Sequence, residues 1–128
     1  MVDTTGFSTD FVKMYFEDGI LVVDFLAKRI QLKHAEEIVR MRLSMVGENS
    51  YPVLVDGRKV ASLDKESRNY FAGPDAQKGV KAGAILMNST FNKFLGNFFL
   101  KVTYKKEKLP TMLFTDREAA VNWLKKFR

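Results

Sequence analysis

The sequence predicts a single α/β domain, with a mixed sheet of about five strands in the order β-β-α-β-α-β-α-β-α and helices mainly on one face. Three observations carry this reading. A hairpin signal, Asp18-Gly19, separates two apolar-rich runs near the start. Beyond it, short apolar runs alternate with stretches whose apolar residues recur at helical spacing. A capped amphipathic segment then closes the chain. Strands that alternate with helices after a leading hairpin build a sheet that is parallel in its later strands and joined by right-handed crossovers.

The first run, "FVKMYFE" at 11–17, alternates apolar and polar residues, and "ILVVDFL" at 20–26 is mostly β-branched and aromatic. Asp and Gly between them suit a tight turn that needs positive φ, so two antiparallel strands are predicted. Residues 1–10 read as an N-terminal extension to a domain spanning 11–128. From Gln31 to Val46 the residues Leu32, Ala35, Ile38, Val39, Leu43 and Val46 recur at three- and four-residue steps, and Gly47 is placed for a left-handed C-cap. This spacing predicts an amphipathic helix, with His34 solvated beside Lys33, Glu36 and Glu37.

"YPVLV" at 51–55 has the pattern of a short buried strand, with Pro52 near its start where a missing donor does least harm. Asp64 is placed to cap a helix that runs to about Phe71, Gly73-Pro74 breaks it, and Asp75 begins a further short turn. "AGAILMN" at 82–88 is apolar on both faces, as a central strand must be, and Asn88 or Ser89 can cap the next segment. A long helix is predicted from about Thr90 to Tyr104, then a last strand in "TMLFT" after Pro110. "TDRE" at 115–118 has capping-box spacing, with Thr115 serving the Glu118 amide, and the closing helix is expected to bury Ala119, Ala120, Trp123, Leu124 and Phe127.

A chain of 128 residues with 46% hydrophobic and 28% charged residues has the material for one ordinary core. It contains no cysteine, which removes disulfides, thiolate catalysis and cysteine-ligated metals, and its single histidine removes an imidazole-rich metal site within one chain. No cofactor is expected. The start, "MVDTTGFSTDF", lacks the basic and apolar regions of a signal peptide, and no window approaches the about 18 apolar residues of a membrane span, so a cytoplasmic protein is expected. The net charge of +6 draws on Lys101, Lys105, Lys106, Lys108, Lys125, Lys126 and Arg128. Such a bias serves solubility more often than recognition, which leaves phosphate or nucleic-acid binding as the weakest alternative.

The element order, the strand "YPVLVD" closing on an acid, the capped "LDKES" helix and the ending "LFTDREAAVNWLKKF" together resemble the small bacterial SpoIIAA-like proteins. Those share the fold of the STAS domains, to which the anti-sigma-factor antagonists also belong. The resemblance spans Phe11 to Phe127 and is one of pattern. It implies helices packed chiefly on one side of a sheet and a non-enzymatic, regulatory role in protein binding or small-ligand sensing. In the antagonists a strand ends near one Asp, and some eight residues later a second Asp precedes a phosphorylatable serine and a glycine. The interval from Asp56 to Asp64 is similar, but Glu66 and Ser67 stand at the serine and glycine positions. The phospho-switch is not carried over with the fold, and phosphorylation of Ser67 stays an open question.

Two groups of residues are candidates for binding. Asp56, Arg58 and Lys59 follow a parallel-type strand, at the sheet edge where open α/β folds place ligands, and Asp64, Glu66 and Ser67 begin the next helix. The competing explanation is a turn at "DGR" and an ordinary helix cap. The second group is the stripe Phe91, Phe94, Leu95, Phe98 and Phe99, which is wider than one sheet contact needs. It reads as a thickly covered core helix, a dimer surface, or the lining of a pocket for a lipid or other apolar ligand. Gly83 in "VKAGAI" belongs to neither a Walker loop nor a dinucleotide fingerprint. Glu36 and Glu37 point about 100° apart on their helix and form no acid–base pair. The expected partners are therefore a protein, a second copy of the chain, or a small apolar ligand.

Overall fold

The computed structural model describes residues 6–88 and 109–128. The strands β1 (Phe7–Ser8), β2 (Val12–Glu17), β3 (Ile20–Phe25), β5 (Tyr51–Asp56), β7 (Val80–Leu86) and β8 (Thr111–Phe114) form a six-stranded sheet in the order β1-β2-β3-β5-β7-β8. The first three pair antiparallel and the rest are parallel, as the leading hairpin and the alternation after it predict. The hairpin turns on Asp18 at φ 56° and Gly19 at φ 78°, the positive values that a twisted two-residue turn demands.

The sixth strand comes from the stretch read as an extension: Phe7 pairs with Met14 and Ser8 with Lys13. A second feature, the ribbon formed by β4 (Arg29–Ile30) and β6 (Ser62–Leu63), is not signalled by the sequence. Two residues are too few to show a period.

Both faces of the sheet are covered. On face one, α1 (Leu32–Val46), α2 (Lys65–Phe71) and α3 (Pro74–Gln77) lie over Leu21, Val23, Phe25, Val53 and Ile85, with Ile38, Met41 and Val46 of α1 completing the core. On face two, Ala120 and Leu124 of α4 (Arg117–Leu124) meet Ile20, Val22, Leu54, Ala82, Ala84 and Leu86. Helices therefore sit mainly on one face, and the C-terminal helix takes the other. Burial on both sides explains why β3, β5 and β7 read as nearly continuous apolar runs.

Arg42 ties the layers of face one together. It projects from α1 into the interior and donates to the carbonyls of Lys78 at 2.6 Å, Ala76 at 3.0 Å and Asp75 at 3.4 Å, supplying donors to the end of α3. Burial lowers its guanidinium to about 10, so it remains charged at neutral pH.

The helix termini show where local chemistry competes. α1 ends as predicted at Gly47, whose φ is 61°. His34 is half-buried rather than freely solvated: its Nδ1 accepts from the Gln31 amide at 3.0 Å, and its ring lies 4.8 Å from that of Phe11. It belongs to the helix start. In α4 the cap is Asp116, which accepts from the Ala119 amide at 2.9 Å, rather than Thr115. The one-residue shift leaves Ala119 exposed while Ala120 and Leu124 are buried. The helix predicted over 90–104, with the stripe Phe91, Phe94, Leu95, Phe98 and Phe99, lies outside the described residues.

Candidate functional site

Asp24 and Asp56 stand opposite each other at the carboxyl ends of the parallel strands β3 and β5. From Asp56 the chain turns at once: the carboxylate accepts from the Arg58 amide at 3.1 Å, from its Nε at 3.0 Å and from its Nη2 at 2.8 Å. The turn is anchored to β7, because the Gly57 amide donates to the Leu86 carbonyl at 2.7 Å and Asn88 Nδ2 donates to the Arg58 carbonyl at 3.2 Å. Asp56, Arg58 and Lys59 are thus brought together as a rigid turn, and Arg58 and Lys59 face solvent.

The two acids of this edge titrate in opposite directions. Burial opposes charge on Asp56, but the hydrogen bonds and charge of Arg58, aided by Arg117, outweigh it and hold the carboxyl below its usual range. Burial and the adjacent Asp56 raise Asp24, and Lys59, Arg58 and Lys13 offset only part of this. Asp24 is the residue that sequence reasoning passed over; its signal was an acid inside the run "ILVVDFL".

Asp64, Glu66 and Ser67 form a separate arrangement. Asp64 Oδ1 accepts from the Ser67 amide at 2.8 Å and lies 2.6 Å from the Ser67 hydroxyl, which is also 3.2 Å from the Ile30 carbonyl. The Ser67 hydroxyl and amide hold the Asp64 carboxyl low. Ser67 is 0% exposed and closes the helix start onto the β4–β6 ribbon, so its hydroxyl is inaccessible to a kinase or a partner in this fold. Glu66 remains exposed. Among the described residues no hydrogen bond or ion pair joins Asp56 to Asp64.

A second site was illegible in the sequence. A cavity of about 130 Å³ lies between face one and the three helices above it, lined among others by Phe25, Val53, Phe71, Gln77, Gly83 and Ile85. Its floor is open because Gly83 has no side chain: among the described residues, a Cβ there would meet only Thr111 Oγ1, at 4.0 Å. In the middle of a central strand, a glycine over open space leaves room that a neighbour or ligand can use. The rings of Phe25 and Phe71 stack in the wall, 6.0 Å apart and 28° from parallel. Among the described residues no group of three histidine, aspartate or glutamate side chains could hold a metal, and no helix is long and apolar enough to cross a membrane.

Residues 14–128 match the family model described as Domain of unknown function (DUF7793). The chain belongs to that family. Among solved structures, it is similar to an uncharacterised protein of the DUF3478 family with a SpoIIAA-like fold from Shewanella loihica PV-4, at a TM-score of 0.64 and 15% identity over 93% of this chain and 99% of that one. The fold implied by the sequence resemblance is therefore the fold observed. A protein of unknown function from Arthrobacter sp. FB24 is 26% identical over 86% of this chain and 95% of its own, with a TM-score of 0.31. No curated protein matches the chain.

Proposed function

We propose that this DUF7793 chain is a cytoplasmic, non-enzymatic binding module whose ligand is a small, largely apolar molecule held in the face-one cavity. The observation that carries the reading is the space over Gly83 among the described residues, walled by apolar side chains. A concave, apolar-lined pocket that opens to solvent is the form small-ligand sites usually take. The polar groups nearby support binding over catalysis: Asp56 is engaged by Arg58, Asp64 by Ser67 and His34 by Gln31. Calorimetric titration of the full chain with toluene tests it. Saturable binding is expected, with its loss in Gly83→Val, whose branched side chain fills the floor. Equal binding by a folded Gly83→Val variant would remove the cavity from the account.

A second reading, a protein partner docked on the sheet edge, is supported by the Asp56–Arg58 turn beside Asp24, with Lys59 exposed in that turn and Glu66 exposed in the first turn of α2. Lys59→Glu reverses a charge without touching the core. A partner that binds this variant as tightly as the parent does not use the edge.

A further inference from the structure

We infer that two copies of this chain pair through strand β8, antiparallel about a two-fold axis at Met112, so that one sheet continues across both molecules. Among the described residues, β8 ends the six-stranded sheet. Its inner side is fixed by β7: the Pro110 carbonyl accepts from the Gly83 amide at 2.9 Å, and the Phe114 carbonyl accepts from the Met87 amide at 3.0 Å. Successive residues of a strand turn their backbone groups to opposite sides. Pro110, Met112 and Phe114 therefore address β7, and the amides and carbonyls of Thr111 and Leu113 point outward.

An edge of this kind invites another strand, and monomeric proteins blunt it with lysine, an outward proline or a bulge. β8 uses none of these. Its sequence "TMLF" carries no charge, its register with β7 is unbroken, and Pro110 turns the side that lacks a donor toward β7. The side chains beside the edge agree with its backbone. Met112 stands opposite Ala84, hence on face two, and is 45% exposed. Next to it the half-buried rings of Phe114, Trp123 and Phe127 form a run with centroids 5.8 and 4.9 Å apart. An apolar strip along an open strand is the composition of an interface.

Symmetry and charge select a second copy as the occupant. Pairing β8 with β1 of the next molecule would add copies without end, whereas β8 against itself closes at two. α4 follows β8 and runs back along the sheet to Arg128, whose Nη1 donates to the Asp18 carbonyl at the far end. Across the axis the two α4 helices thus lie antiparallel. The exposed acids at the start of one helix, Asp116 and Glu118, come to the side of the exposed Lys125 and Lys126 at the end of the other. Opposite charges then meet at both ends of the contact, which favours this orientation over its reverse. With the axis at Met112, Thr111 and the partner's Leu113 exchange backbone hydrogen bonds. The two Met112 residues form a non-hydrogen-bonded pair with Cα atoms about 4.5 Å apart, and each covers the other.

That spacing gives a direct test, because it lies within the range a disulfide can bridge and the chain has no cysteine of its own. Sedimentation velocity of the full chain at micromolar concentrations is expected to show twice the mass of one chain. Met112→Cys should form a disulfide-linked dimer on mild oxidation far faster than Lys65→Cys, whose thiol would sit on an exposed position of α2 over face one. Met112→Glu sets two like charges against each other and should raise the dissociation constant about tenfold or more, with an unchanged far-UV spectrum showing that the fold is kept. A monomeric full chain, Met112→Cys that crosslinks no faster than Lys65→Cys, or a dimer that Met112→Glu leaves intact would each overturn the β8 pairing.

Discussion

The two faces of the sheet share their central strand and use it differently. On face two, β7 presents Ala82, Ala84 and Leu86 to Ala120 and Leu124, all fully buried, so the small residues let α4 settle close to the strands. On face one the same strand presents Gly83 and Ile85, and the layer above remains separated from Gly83 by a cavity. A methyl group is the difference between Ala84 and Gly83. One face is built as a close-packed support, and the other retains space at some cost in packing.

Three substitutions sharpen the comparison. The largest effect is expected for Leu124→Ala on face two, which should destabilise by about 3 kcal/mol through a void under α4; urea unfolding measures it, and a loss below about 1 kcal/mol would mean that face two is not the rigid one. Next, adding a methylene or two should have opposite signs on the two faces. Ala84→Val overpacks the α4 contact and should cost about 2 kcal/mol, whereas Gly83→Ala fills empty space and restricts the unfolded chain, adding about 0.5–1 kcal/mol. Equal signs in thermal or chemical unfolding would erase the distinction.

The smallest effect concerns the sheet edge. The Asp24 carboxyl is raised by burial and by Asp56, so the folded state favours its protonated form. Its penalty is absent below the ordinary carboxylate range and fully present above the raised value. Asp24→Asn should therefore stabilise the protein at pH 7 and change little near pH 3. Asp64 behaves oppositely: its depressed carboxyl contributes above its unfolded value and is lost as pH falls through the folded one, so Asp64→Asn should flatten the acid limb of the stability profile. Stability curves of both variants against pH check the two signs.

Much of the architecture was legible in the sequence because it rests on repeating local signals. The Asp18-Gly19 turn, the three- and four-residue steps of α1 with Gly47 after them, the Asp64 cap and the break at Gly73-Pro74 each state their physics within a few residues. What escaped was either too short or too dispersed. The strands Phe7–Ser8 and Arg29–Ile30 have no room for a period. Thr115 and Asp116 are adjacent residues that can both cap a helix, and only the packing of Ala120 and Leu124 decides between them.

The candidate site divides in the same way. Asp56, Arg58 and Lys59 do form one turn at the strand end, as the run "VDGRK" suggested, but Ser67, at the glycine position of the antagonist pattern, turns inward and locks the helix start. The direction of a hydroxyl is a tertiary fact. The cavity was hidden because its lining comes from strands and helices far apart in sequence, and its most telling residue, Gly83, contributes by the atoms it lacks.

The most direct test of the claim that face one holds a ligand while face two holds the fold is a residue-resolved NMR titration of the full chain with toluene, monitored on methyl resonances. Saturable shifts are predicted at Val23, Val53 and Ile85, which line the cavity, with Val22 and Leu54 on the opposite face unmoved. Shifts centred on Val22 and Leu54, or no shifts at saturation, would contradict the account.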